Sequence, residues 1–166
     1  MTPDEKYTAY VTARLTWLHK VAFLLCQDWA RADDLVQVAI TRLYVNWRRA
    51  AAVDNLDGYT RTILVRVFLA EQRTGWRKRV TSLRQLPDTP AVTADPDMTL
   101  DLRAALAALP PRQRAAVVLR FYCDLSVEQT ADVLNCSTGT IKSQTARALA
   151  TLRSDLRRSS VKEHLS

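Results

Sequence analysis

Apolar positions recur with a helical period over both ends of the chain. In the first stretch they fall at Tyr7, Val11, Leu15, Leu18, Val21, Ala22 and Leu25, a spacing that places them on one face of an α-helix. Thr2-Pro3 followed by Asp4 and Glu5 is a helix start: proline suits the first helical position, and carboxylates suit the positive end of the helix dipole. A second helix is expected to open near Ala32, with Asp33 and Asp34 at its start and an apolar stripe of Leu35, Val38, Ala39, Leu43 and Trp47. Residues 48–57 read as a loop, and Asp57-Gly58 as a turn. A third helix follows over about 59–76, with Ile63, Val67 and Phe68 inward.

The second half repeats the pattern in shorter pieces. Residues 98–109 place Leu102, Ala105, Leu106 and Leu109 on one face. Pro110-Pro111 breaks the chain and opens a helix carrying Ala115, Val118 and Leu119, which Asp124 and Leu125 close. Ser126-Val127-Glu128-Gln129 is a capping box, in which the Ser126 hydroxyl and the Gln129 side chain each take up an unpaired backbone N–H. That helix ends near Leu134, Asn135-Cys136-Ser137 turns, and a last helix runs over about 138–157. Strand-like alternation is absent, so the expected class is all-α: two small helical domains at 1–79 and 99–158, joined by a flexible linker at 80–98 and followed by a tail at 159–166. The linker holds three of the six prolines and no long apolar period.

Charge changes this picture. The 166 residues carry 24 Lys+Arg against 17 Asp+Glu, a net of +7. Residues 1–79 hold 13 basic and 8 acidic side chains (+5), 80–98 hold 1 and 3 (−2), and 99–166 hold 10 and 6 (+4). Two basic domains flank an acidic connection, which favours phosphate partners. Only 3 Gly are present, and no glycine-rich phosphate loop. Cys26, Cys123 and Cys136 form no C-x-x-C, and His19 and His164 are far apart, so no metal or other cofactor is expected. The polar first ten residues and the short Val21–Cys26 apolar run predict no signal peptide and no membrane insertion, hence a cytoplasmic protein.

The last two helices have the spacing of a DNA-binding helix-turn-helix. Ala131 is the small residue where the helices cross. Asn135, four positions on, tolerates a left-handed backbone, and Ile141, ten after Ala131, anchors the second helix. Opposite the stripe of Ile141, Thr145, Ala148, Leu149, Leu152 and Leu156 lie Thr140, Ser143, Gln144 and Arg147, with Lys142 adjacent. Short hydroxyls, an amide and cations suit base edges and phosphates in a major groove. A solvated polar face is the bland alternative. In the first half, Arg61, Arg66, Arg73, Arg77, Lys78 and Arg79 make a basic track with Trp47, Tyr59 and Trp76 beside it, as single-stranded nucleic acid requires. Trp47 also lies on the apolar stripe and is equally a core residue.

Taken together, Ala32-Asp33-Asp34-Leu35-Val36-Gln37, the basic third helix, the linker, Ala108-Leu109-Pro110-Pro111-Arg112-Gln113-Arg114, Ser126–Leu134 and Ser137-Thr138-Gly139-Thr140-Ile141-Lys142-Ser143 resemble, in that order, an extracytoplasmic-function sigma factor. This is group 4 of the sigma-70 family of RNA polymerase sigma factors. The short length and tryptophan-rich first domain are similar to the sigma-E-like actinobacterial subgroup. The resemblance implies promoter-reading regions 2 and 4 without region 3, and core RNA polymerase and promoter DNA as partners. It implies that Asp34, Leu35, Gln37, Val38, Thr41 and Arg42 dock on the β′ clamp helices. Tyr59, Arg61, Arg66, Arg73, Trp76, Arg77, Lys78 and Arg79 would meet the −10 element. Thr140, Lys142, Ser143, Gln144 and Arg147 would read the −35 element as duplex. Apolar surface on region 4 would grip the β flap, and many such relatives are silenced by an anti-sigma factor. The chain departs from the family pattern at Gln144, where Arg is common, and at Ala146, where a larger residue is common. A stand-alone helix-turn-helix regulator is the alternative. An enzyme lacks a nucleophile–His–acid set.

Overall fold

A computed structural model describes residues 1–74 and 99–165; the expected linker lies outside them. Helix α1 (Pro3–Cys26) starts at the Thr2-Pro3 signal: Thr2 Oγ1 accepts the Glu5 N–H at 3.1 Å while the Glu5 carboxylate accepts the Thr2 N–H at 3.4 Å. Helix α2 (Trp29–Val45) opens before Ala32, because the Asp28 carboxylate accepts the N–H groups of Ala30 and Arg31. The expected loop at 48–57 contains one short helix, α3 (Trp47–Ala50). Helix α4 (Leu56–Thr74) takes Asp57-Gly58 into its first turn. The reason is local: Asn55 Oδ1 accepts the Gly58 N–H at 2.9 Å and so starts the helix. A Cβ on Gly58 would stand 2.6 Å from Asn55 Nδ2, so only glycine leaves room for this cap.

The second half holds α5 (Leu100–Ala108), capped by Thr99, and α6 (Pro111–Val117), which widens into a π-helical turn at Val118–Tyr122. Asp124 then reverses the chain at φ 56°, a left-handed conformation that Asp tolerates. Helix α7 (Val127–Leu134) has the expected capping box, with Ser126 and Gln129 bonded reciprocally at 3.0 and 2.9 Å. Asn135 ends it at φ 54°, ψ 54°. Helix α8 (Thr138–Leu165) continues past the expected end near 157, so residues 159–165 are helical where a tail was expected. No strand occurs among the described residues.

Burial follows the apolar period, with one exception. Val11, Leu18, Val21, Ala22 and Leu25 of α1 are buried, as are Leu35, Ala39, Leu43 and Trp47. Val38, expected in that stripe, is 36% exposed. It lies one position before Ala39 and is carried by the 100° helical step off the buried face. A small cluster of Val11, Leu43, Trp47 and Ala50 closes one end of the first lobe. The main core is shared. Leu18, Leu25, Leu64 and Phe68 of the first lobe and Leu109, Leu119, Leu134 and Ile141 of the second belong to one continuous buried cluster.

Asn135, held in the left-handed region, is a backbone position sensitive to side-chain shape. Asn135→Gly should leave stability nearly unchanged, whereas Asn135→Val should cost about 1–2 kcal/mol, because a β-branched residue pays the left-handed penalty in full. Urea denaturation of the whole chain checks this, and equal midpoints for the two variants would refute it.

Candidate nucleic-acid interface

The helix-turn-helix is assembled from local rules. Ala131 is buried at the crossing, Asn135 supplies the left-handed turn, and Ile141 is fully buried beneath α8. Ser137 Oγ accepts the Thr140 N–H at 3.1 Å and lies 2.9 Å from the Thr140 hydroxyl, so it caps α8. Thr130 is buried inside α7, its hydroxyl donating to the Ser126 carbonyl at 2.8 Å. Of the five residues expected to read duplex DNA, Lys142, Ser143 and Arg147 are exposed, while Thr140 and Gln144 are half-buried. The Gln144 side-chain oxygen, Oε1, is buried without a hydrogen-bond partner among the described residues.

On α2 the exposed residues Asp34, Gln37, Val38, Thr41 and Arg42 share one face, and Val45, 76% exposed, extends it. Their spacing of three and four residues puts them opposite the buried stripe. The Thr41 hydroxyl donates back to the Gln37 carbonyl at 2.7 Å. Leu35, expected on this face, is fully buried. It belongs to the core stripe with Ala39 and Leu43, so it positions the helix and offers a partner nothing to touch. Val45 and the exposed Tyr44 were legible as apolar residues off the stripe but were not singled out.

The basic track on α4 is divided. Tyr59, Arg66 and Arg73 lie two turns apart along one face, with Tyr59 half-buried against the small cluster and Arg73 exposed. The Arg66 guanidinium donates across the lobe boundary to the carbonyls of Asp132 and Val133, at 3.2 and 3.4 Å. Arg61 lies on another side, half-buried, over the Trp17 ring at 5.9 Å. Burial pushes the Cys123 thiol up in pKa, and the Arg61 guanidinium near it acts in the opposite direction. Trp76, Arg77, Lys78 and Arg79 lie outside the described residues. Trp47, which admitted two readings, is buried in the small cluster, edge-on to Tyr7.

A polar network at the start of α4 escaped the sequence reading. The Tyr10 hydroxyl donates to Asp57 Oδ1 at 2.7 Å, and Arg14 Nε donates to the same oxygen at 2.9 Å. Burial pushes Tyr10 up to about 12. Burial alone would raise Asp57 too, but the bonds from Arg14 and Tyr10 and the charges of Arg14 and Arg61 outweigh it and hold the carboxyl below its ordinary range. Among the described residues, no group of three or more His, Cys, Asp or Glu could hold a metal ion. No helix there is long and apolar enough to cross a membrane.

With this geometry in place, comparison with known proteins is informative. Residues 10–78 match the family description Sigma-70 region 2, and residues 99–152 match Sigma-70, region 4. The chain belongs to the sigma-70 family. The RNA polymerase sigma-E factor of Streptomyces coelicolor is 36% identical over 157 residues, covering 91% of this chain and 86% of that protein. The sigma factor EcfG of Rhodopseudomonas palustris is 34% identical over 149 residues, covering 86% and 80%. The fold is similar to the sigma factor RpoE, solved in complex with the anti-sigma factor NepR, from Bartonella quintana. The TM-score is 0.73 at 26% identity, over 92% of this chain and 98% of that one. The protein is therefore an alternative sigma factor of the extracytoplasmic-function group, directing promoter recognition and transcription initiation by core RNA polymerase. Both regions match in one chain, so a stand-alone helix-turn-helix regulator is not the reading that holds.

The Asp57 network sets a pH dependence for this sigma factor. Because the folded carboxyl binds its proton more weakly than the unfolded one, its stabilising effect is complete above about pH 4 and is lost as pH falls through the lowered folded value. Asp57→Asn should therefore unfold at lower urea than the parent at pH 7, and the gap should narrow by pH 3. A gap of constant size across that range would exclude the network as its source.

Proposed function

We propose that the two lobes meet the promoter in two different DNA states. Residues 99–158, with α7 and α8, serve as the −35 reader. Lys142, Ser143 and Arg147 make the principal contacts to the major groove, with Thr140 and Gln144 supporting them. The observation that carries this reading is the helix-turn-helix itself: a capped α7, a left-handed Asn135 and exposed cations at the start of α8. Residues 1–79 serve as the unit for core polymerase and the −10 element. There the α2 face of Asp34, Gln37, Val38, Thr41 and Arg42 docks on the β′ clamp helices, and two exposed valines give that face an apolar component. Tyr59, Arg66 and Arg73 on one face of α4, together with Trp76, Arg77, Lys78 and Arg79, track the melted −10 strand, where stacking and phosphate contact need no base-edge code, while Arg61 supports them from another side of the helix.

Exposed Phe121 and Tyr122, on the turn before α7, suit the β flap. The likeness to a sigma factor solved with an anti-sigma factor supports a protein inhibitor of that kind for this chain. The acidic segment 80–98 connects the two units, and the site of action is the cytoplasm. The protein contributes recognition and no catalytic group of its own; the polymerase supplies the chemistry.

Run-off transcription with purified core polymerase over a promoter library tests the reading. Promoter-specific transcripts should require both proteins, and a chain that shifts promoter DNA alone yet never programs polymerase would overturn it. Lys142→Ala with Arg147→Ala should lower −35-dependent transcription by about tenfold or more. Because both side chains are exposed, the unfolding midpoint should barely move. Asp34→Ala with Gln37→Ala should weaken core-polymerase binding by about tenfold; unchanged retention on immobilised polymerase would remove α2 from that role.

A further inference from the structure

Tyr59, assigned above to the melted −10 strand, sits in the least secure part of a helix. It belongs to the first turn of α4, where backbone N–H groups have no intrahelical partners. The segment before that turn, residues 51–55, is exposed throughout. A ring on a turn that frays is out of position part of the time, and stacking on a base gains only from the fraction that is in place.

The bonds that hold this turn come from α1. The Tyr10 hydroxyl donates to Asp57 Oδ1 at 2.7 Å, and Arg14 Nε donates to the same oxygen at 2.9 Å. A carboxylate can only accept, so the single Tyr10 proton goes to Asp57 and the Tyr10 oxygen is left to accept from Thr60, which is fully buried and 3.0 Å away. The Thr60 hydroxyl also reaches the Leu56 carbonyl, at 2.9 Å. Tyr59 lies between Asp57 and Thr60, the two anchored positions, and its own N–H bonds the Asn55 carbonyl at 3.1 Å. The anchor is itself fixed: the Tyr10 ring packs on Trp47 at 6.0 Å, and the Arg14 guanidinium stands 5.7 Å over the other aromatic partner, Tyr10 itself.

We propose that Tyr10 and Arg14 are positioning residues for the −10 strand: without touching DNA, they lock the first turn of α4 through Asp57 and so set the Tyr59 ring for an unpaired base. The proposal rests on the −10 assignment of Tyr59. Apolar support from the small cluster limits how deep the ring sinks but leaves the turn free to rotate. Hydrogen bonds with defined lone-pair directions remove that freedom. Burial pushes Tyr10 up to about 12, so the hydroxyl keeps its proton and the chain from Thr60 through Tyr10 to Asp57 runs in one direction across the neutral range. Arg14 is already paired with Asp57, so its contribution is geometric rather than an attraction for phosphate.

The test uses holoenzyme assembled from core polymerase and the full chain. Its two probes come from a promoter found in the run-off library: a fork template with a duplex −35 and unpaired −10 bases, and the −35 duplex alone. Tyr10→Phe keeps the ring and the charge and loses only the hydroxyl. It should weaken fork-template binding about fivefold, with core binding and −35 duplex binding unchanged, at a temperature where circular dichroism shows the variant folded. Arg14→Lys keeps the charge but not the fixed guanidinium geometry and should weaken it about twofold. Its side chain is partly exposed, so it keeps the test open if Tyr10→Phe fails to fold. In a Tyr59→Ala background, Tyr10→Phe should weaken binding no further. A lower unfolding midpoint with unchanged fork affinity in both variants, an equal loss on both probes, or losses that add fully to that of Tyr59→Ala would each overturn the positioning role. Tyr59→Ala binding the fork template like the parent would remove the −10 assignment of Tyr59 and the positioning with it. Tyr59→Ala binding weakly beside a Tyr10→Phe that binds normally would remove the positioning alone.

Discussion

A helix that stops inside a protein leaves its last carbonyls without partners, and this structure depends on how two such ends are met. Helix α1 stops beneath the second lobe. Its Phe23 and Leu24 carbonyls are taken by the backbone and side chain of Gln27, and its Leu25 carbonyl by Arg114. Helix α7 stops against the first lobe, where Arg66 takes Asp132 and Val133 while Arg112 takes Leu134 at 2.8 Å. A buried carbonyl left unpaired costs on the order of 1–3 kcal/mol. Gln27 and Arg112 act within their own lobes, whereas Arg114 and Arg66 satisfy carbonyls of the opposite lobe and so add directional ties between the two units.

The local parts of the fold were legible in the sequence because their causes are local. The Thr2 and Ser126 capping boxes, the left-handed Asn135 and the proline start at Pro111 each involve residues within a few positions of one another. Errors arose where one short-range signal concealed another. Asp57-Gly58 reads as a turn until Asn55 is recognised as the cap that makes it a helix start, and Asp28 was passed over in favour of Asp33 and Asp34. Leu35 and Val38 are each expected both in the apolar stripe and on the docking face, and the structure divides them: the first belongs wholly to the core, the second to the surface. An apolar stripe fixes a helix face only to within one residue's rotation.

The candidate sites were legible in type but not in arrangement. Exposed cations and hydroxyls at the start of α8 follow from helical periodicity alone. The partners of Arg61, Arg66 and Arg114 do not, because they come from residues distant in sequence and no spacing rule connects them. The same is true of the Tyr10–Asp57–Arg14 network, which joins α1 to the start of α4. A count of basic residues treated these arginines as equivalent. The structure distinguishes them: Arg114 is buried and bonded, Arg61 is half-buried, and Arg66 is bonded while still exposed.

Helix α8 carries the DNA-facing residues at one end and continues without a break to Leu165. At 1.5 Å per residue it is a rod of about 42 Å. A tilt of about 10° at the groove would swing its far end by some 7 Å. The protein thus has a built-in pointer: whatever is joined to its last residues, a fused reporter included, registers small changes in how the recognition end is seated.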